Sequence, residues 1–319
     1  MLTVCRKELS DHFGSKRYLI LFALILLLSG VSAYQGAEYI RNRVGVSFLS
    51  IFSGAQFGFS FVQSMVFFGP ILGLALGFDA INKERTSGTL SVILSQPIFR
   101  DSVINGKFVA GVAALATLTL STVSMMCGLA IPILGFGPTL EEALSIVLLS
   151  SLTILYLAFW LSLGILFSVL TKKVSTSILA SVATWLFSAI MIPILAMLIA
   201  NQLAPMPIQI RPGMGNETFR MQQTPEFQRL MQERAAIQSS ISKISPTTLY
   251  SEAASMILGA RLPGTVVVGG GFGGGFRALT LTQSVMASWP NVAALAVGLV
   301  ICFAASYMSF VRSEIRPGE

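Results

Sequence analysis

The residues of this 319-residue chain that could do chemistry are few and confined to short stretches. Nucleophilic catalysis needs a Ser or Cys within reach of a base. The one histidine, His12, lies in the N-terminal tail, and no Ser-His or His-Glu pair falls in the long apolar runs. Nucleotide binding needs a phosphate loop. The nearest match is Gly106-Lys107, but that spacing demands Gly at position 101 and Ser or Thr at 108, where Asp101 and Phe108 stand. The glycine run 264–276 has no strand-to-helix unit around it and reads as irregular backbone, not a phosphate cradle. Met206, Met214, Met221, Met231 and Met256 offer soft sulfur, but no His or Cys accompanies them at ligand spacing, so they read as apolar filler and no metal site is expected. The chain is read as neither an enzyme nor the holder of a cofactor.

What remains is a charged connection, Gly77 to Lys107, between two strongly apolar segments. Asp79, Lys83, Glu84 and Arg85 follow directly on the run that ends at Phe78 and read as its exit from the membrane. In TSGTLSVILSQP, Leu90, Ile93 and Leu94 share one face of a short helix that Pro97 stops. Arg100, Asp101 and Lys107 lead back to apolar sequence at Phe108. Such a short amphipathic helix, held just outside a bilayer between two spans, is shaped to dock on a soluble partner.

This order of residues resembles the signature loop of the ABC transporter type 2 permease family, which includes the permease of the nitrous-oxide-reductase maturation transporter. The matching features are Asp79 near the end of the second span, the Glu84-Arg85 pair, the Gly88-Thr89-Leu90 turn into a helix, Pro97 with Arg100 after it, and Gly106-Lys107. The likeness extends over the whole chain: an amphipathic start, six spans, and this loop between the second and third. It implies that the loop holds a coupling helix driven by a separate ATP-binding subunit, where ATP and Mg are bound. It further implies a homodimer in a prokaryotic plasma membrane, with the substrate path between protomers. Asp79, Glu84, Arg85, Gly88, Leu90, Pro97 and Arg100 are the candidate coupling residues, with Glu84 and Arg85 read as an ion pair.

The elements that must position this loop follow from composition. With 54% hydrophobic and 11% charged residues, the chain is a polytopic membrane protein. Runs near 18–34, 57–78, 108–134, 143–170, 177–200 and 292–311 reach the roughly 20 residues that a spanning helix takes. Lys and Arg concentrate in the N-terminal tail, the 79–107 loop, Lys172-Lys173 and the C-terminal tail, against Arg41 and Arg43 in the short loops of the other side, so both termini are expected in the cytoplasm. Residues 1–17 place Leu2, Cys5, Leu9 and Phe13 at helical spacing, an interfacial helix that resembles the family's elbow helix. The small-residue pattern Val31-Ser32-Ala33 would suit signal-peptide cleavage, but the partly acidic lead is long for that. The spans as drawn hold no ionisable residue, which argues against an ion-coupled carrier. Cys5, Cys127 and Cys302 give no reason to expect an external disulfide.

Within the second span, Gly69, Gly73 and Gly77 recur every fourth residue, a smooth stripe for close helix packing. Gln56, Ser60, Gln63 and Ser64 share a face and are candidates for lining a path or for interhelical hydrogen bonds. Pro70, Pro132 and Pro193 are expected to bend their helices. The stretch 201–288 is expected as a small helical extracellular domain, with one helix over 225–242 and another from Pro246, capped by Ser245, to Leu258.

The fold is thus read as all-helical: an elbow helix (1–17), spans one to five with the coupling loop (18–200), an extracellular domain (201–288), and a sixth span with a cytoplasmic tail (289–319). The function is read as the permease subunit of an ATP-driven exporter of a hydrophobic or amphipathic compound. Two alternatives differ in class: an ATP-driven mechanotransmitter acting on an extracytoplasmic protein, and a membrane scaffold with no ATPase.

Overall fold

The computed structural model describes residues 2–41, 47–53, 60–89, 99–205, 225–259 and 281–312. Among these every regular element is a helix: α1 (Leu2–Gly14), α2 (Lys16–Arg41), α3 (Ser50–Ser53), α4 (Phe61–Gly77), α5 (Asn82–Thr86), α6 (Arg100–Leu134), α7 (Leu140–Leu170), α8 (Val174–Leu203), α9 (Pro225–Ser242), α10 (Pro246–Ile257) and α11 (Leu281–Arg312). Six segments are long and apolar enough to cross a membrane: α2, α4 continued through α5 (Phe61–Thr86), α6, α7, α8 and α11. They coincide with the six runs read from hydropathy and mostly extend them, by 11 residues at the start of the sixth and by 8 at the start of the third. That helix begins at Arg100, more than two turns before the apolar edge at Phe108. Its far end closes on Gly135, at φ 75°, whose N–H reaches the Ile131 carbonyl at 2.9 Å.

The central post is α7. Of its most apolar stretch 67% is buried within the chain, against 11% for α8 and 17% for α11, which turn their apolar surface outward. A capping box starts α7, Thr139 with Glu142, and the same Glu142 carboxylate accepts from Ser47 Oγ at 2.6 Å and Phe48 N at 2.9 Å, tying the α2–α3 connection to it. Against α7 packs α4, through backbone. A Cβ on Gly73 would stand 2.8 Å from the Leu157 carbonyl, one on Gly77 2.6 Å from that of Leu161, and one on Gly69 2.9 Å from a Leu157 methyl.

Four prolines lie inside the described helices, Pro70, Pro132, Pro193 and Pro290, and at Pro70 and Pro193 the orphaned carbonyl finds a hydroxyl. Pro70 has no N–H to give Val66, and Tyr156 Oη of α7 donates to the Val66 carbonyl at 3.3 Å. In α8, residues Phe187–Met191 form a π turn in which the Ile192 N–H reaches back to Phe187. Pro193 follows, so the next carbonyl, that of Ser188, lacks a helical donor. Ser245 Oγ supplies it at 2.9 Å.

That contact fixes where the chain goes after α8. The helices α9 and α10 form a hairpin: α9 lies along the second half of α8, with Arg234 hydrogen-bonded to Asn201, and the turn at 243–245 meets Ser188. From there α10 runs between α7 and α11. The Tyr250 ring stacks on Tyr156 at 4.3 Å, Tyr250 Oη lies 3.0 Å from Thr153 Oγ1, and Ala253 and Ala254 are fully buried. The second helix of the 201–288 stretch therefore lies inside the bundle and not apart from it, because its Tyr/Ala face fits between spans. Ser245 stands at its N-cap position, yet its hydroxyl serves Ser188 and makes no capping bond.

Candidate functional site

Charged side chains of the described residues converge at the end of the bundle where α1, the α4–α5 turn and the start of α6 meet. The position of α1 is set by Gly106 on α6, where an added Cβ would stand 2.9 Å from Val4 Cγ1, so the two backbones approach closely. One turn along α1, Glu8 comes to face Lys107. The Lys107 side chain is only 5% exposed and its Nζ lies 3.0 Å from Glu8 Oε1 and 2.8 Å from Glu84 Oε1. Lys7 completes the group, at 3.2 Å from Glu8, 3.6 Å from Asp11 and 3.9 Å from Glu84. A buried ammonium is tolerable only with such pairing. Three separate elements, α1, α5 and α6, are thereby joined through one cation.

Burial opposes the charge on Glu8, but Lys107 and Lys7 outweigh it and hold its carboxyl below the usual 4.5. Burial likewise opposes the charge on Lys7, and Glu8, Glu84 and Asp11 outweigh it, raising the amine above 10.5. Burial dominates at His12 and, with help from Lys107, holds the imidazole below 6.5. These groups border a cleft of about 730 Å³ whose wall also includes Arg17, Lys83, Ser87 and Thr89. Glu84 Oε2 is buried and has no hydrogen-bond partner among the described residues.

The α4–α5 turn is anchored on its other side. Ser168 Oγ of α7 accepts from the N–H groups of Ile81 and Asn82 at 2.9 and 3.1 Å, capping α5 from outside the helix. Asn82 Nδ2 donates to Thr171 Oγ1 at 2.9 Å, and Ser177 Oγ of α8 donates to the Phe78 carbonyl at 2.8 Å. Asp79 pairs with Arg17 at 3.0 Å, where α2 begins. Gly88, at φ 73°, ends α5 in the left-handed conformation that glycine adopts without strain.

The candidate coupling residues are thus distributed as follows. Asp79 and Glu84 lie in this assembly, paired with Arg17 and with Lys107. Glu84 takes its salt bridge from Lys107 and not from Arg85. Arg85 is half-buried and Gly88 is exposed. Arg100 opens α6 and its Nη1 lies 3.5 Å from the Val311 carbonyl of α11. Leu90 and Pro97, with the whole of the amphipathic segment 90–98, fall outside the described residues. Of the path candidates, Ser60 caps α4 by accepting from Gln63 N at 3.0 Å, and Ser64 is buried at 1% exposure without a hydroxyl partner among the described residues. Gln63 is half-buried beside them, and Gln56 lies outside the described residues. Among the described residues no group of three His, Cys, Asp or Glu side chains is arranged to hold a metal. Glu8, Lys7 and Lys107 were not among the sequence-derived coupling residues. Lys107 stood in the sequence only as half of the Gly106-Lys107 pair, and Lys7 and Glu8 only as polar positions of the amphipathic start.

Residues 2–315, nearly the whole chain, match the ABC-2 family of transporter proteins. The chain belongs to that family. It is a multi-pass membrane protein. Curated relatives of this ABC-2 chain include a probable ABC transporter permease protein NosY of Pseudomonas aeruginosa, 30% identical over 150 residues that make up 44% of this chain and 48% of the relative. A probable NosY permease of Stutzerimonas stutzeri is 28% identical over 165 residues, 49% of each chain. The matched region spans about half the length of these relatives.

Proposed function

We propose that this ABC-2 permease is the membrane subunit of an ATP-driven exporter, working as a homodimer with two separate ATPase subunits, its α1 end in the cytoplasm. The observation that carries this is the bridging of Glu8 and Glu84 by the buried Lys107. Any force applied near α5 by a soluble subunit passes through Lys107 to α1 and α6, and through Ser168 and Ser177 to α7 and α8. A transmission point needs such stiffness, and the exposed residues Ser87–Thr89 after α5 lead into residues 90–98, which the sequence pattern alone marks as the coupling helix. The outward apolar surfaces of α8 and α11 support export of a compound with a lipophilic part, since they offer faces for lipid and for a second protomer.

The test is a pull-down in mild detergent of the intact chain and of a chain in which residues 88–94 are replaced by Gly and Ser, with co-purifying ATPase activity assayed in both. An ATP-hydrolysing subunit that accompanies the first and not the second supports the reading. A well-folded intact chain that brings down no ATPase overturns it.

A further inference from the structure

The hairpin α9–α10 carries a charged side chain to a depth where the described spans carry none. Its turn meets Ser188 at 3.1 Å through Ser245. Ser188 lies at the middle of α8, Val174–Leu203, with about 20 Å of helix on either side at 1.5 Å per residue. The other anchors agree, for Tyr250 meets Thr153 and Tyr156 near the middle of α7. Along α9 the exposed positions among the described side chains are Arg229, Gln232, Glu233, Ala236, Gln238 and Ser240, then Lys243 at the turn, a mostly polar face that descends past the Arg234–Asn201 contact near the end of α8 to its midpoint. The Lys243 ammonium has no hydrogen-bond or ion-pair partner among the described residues.

A polar helix face ending in a lysine with no partner among the described residues is costly against hydrocarbon, so at that depth it borders water. We propose that Lys243 binds an anionic group of the cargo at the bottom of a water-filled vestibule lined by α9, so that the exported compound is an anionic amphiphile. This rests on the exporter reading above and narrows its substrate class. The ammonium is a point charge on a flexible stem, suited to a phosphate or carboxylate headgroup, while the apolar surface beside it, with Ile244 at 70% exposure, takes the lipophilic part.

The full chain in phosphatidylcholine nanodiscs is titrated with dodecyl phosphate and with dodecyl maltoside as its uncharged counterpart. Lys243→Gln weakens dodecyl phosphate binding at least about tenfold, the size of one charge-assisted contact, and leaves dodecyl maltoside unchanged, while Lys243→Arg retains both. Inorganic phosphate competing as well as dodecyl phosphate assigns the site to a soluble anion, and failing to compete assigns it to an amphiphile's headgroup; the former overturns the amphiphile. Separately, Lys243→Cys in a chain whose three native cysteines are serine reacts with a charged, water-borne thiosulfonate in sealed vesicles. No reaction, or equal binding of dodecyl phosphate by the intact and Lys243→Gln chains, overturns the proposal. Neither measurement uses an ATPase subunit, so its failure is separable from failure of the exporter reading.

Discussion

Lys107 and Glu84, 23 positions apart in the chain, meet at 2.8 Å with the lysine all but removed from solvent. Replacing Lys107 by Met leaves Glu8 and Glu84 as neighbouring carboxylates with one remaining cation, Lys7. Losing one partner of a buried pair costs about 3–5 kcal/mol. The variant is expected to melt at lower temperature in detergent, with α1 losing amide-exchange protection first, and to leave ATP hydrolysis by a bound partner unresponsive to transport. Adding Glu84→Gln restores part of the stability, since it removes the uncompensated charge.

Acid should release α1 in two stages. The imidazole of His12 sits below its usual 6.5, so the unfolded chain binds its proton first and stability falls as pH drops through and below that value. Glu8, held below 4.5, contributes stability that is present above that pH and is lost as pH falls through its lower folded value. Lys7 acts at the other extreme: its contribution is present below 10.5 and is lost as pH rises through its raised folded value. Proteolysis of the α1–α2 junction against pH reads these steps. His12→Asn should abolish the first and leave the second.

Glycines at two contacts should respond differently to Ala. At Gly77 the new Cβ would meet the Leu161 carbonyl at 2.6 Å and the Ile165 nitrogen at 2.8 Å, both backbone that cannot step aside. At Gly106 it would meet Val4 Cγ1 at 2.9 Å and Cβ at 3.0 Å, with the Cys5 nitrogen at 3.4 Å, so relief requires α1 itself to shift. Gly77→Ala is expected to cost about 1–3 kcal/mol, the usual range for overpacking, with the bundle held in place, while Gly106→Ala is expected to relax by displacing α1 and weakening the Lys107–Glu8 contact. Thermal unfolding of the two purified variants side by side gives the comparison.

Tyr156→Phe keeps the ring stacked on Tyr250 and removes the hydroxyl that donates to the Val66 carbonyl, which Pro70 leaves bare. The expected cost is about 1–3 kcal/mol for a buried acceptor left unpaired. Pro70→Ala restores a helical N–H to that carbonyl, so the double variant should recover most of the loss. Equal losses with and without Pro70 would show that the hydroxyl has another role.

The six spans were legible because a bilayer imposes a length of apolar sequence that little else imitates. The helix 246–257 was legible from its pattern too, within a residue at its end, but its place was not: an apolar face does not say what it packs against, and Tyr250 with Ala253 and Ala254 suits the interior of a bundle as well as a separate domain. The charged site was half legible. Asp79 and Glu84 stood out in their loop, but the third span was drawn from Phe108, one residue past Lys107, because hydropathy ends there while the helix itself starts at Arg100. Glu8, 99 positions from Lys107, had no local signal of its partner.

Ser188 and Ser245 are separated by 57 residues, and this bears on how the molecule is made. The chain enters the membrane from its N-terminus, so the π turn of α8 and its bare carbonyl exist before the serine that satisfies them has been synthesised. Until the hairpin arrives, that carbonyl sits in hydrocarbon or is shielded by something else. Docking of residues 245–250 therefore acts as a late inspection step in biogenesis: a chain truncated before residue 245 keeps five hydrophobic spans yet leaves the fifth of them, α8, unfinished, a defect that membrane quality control can detect.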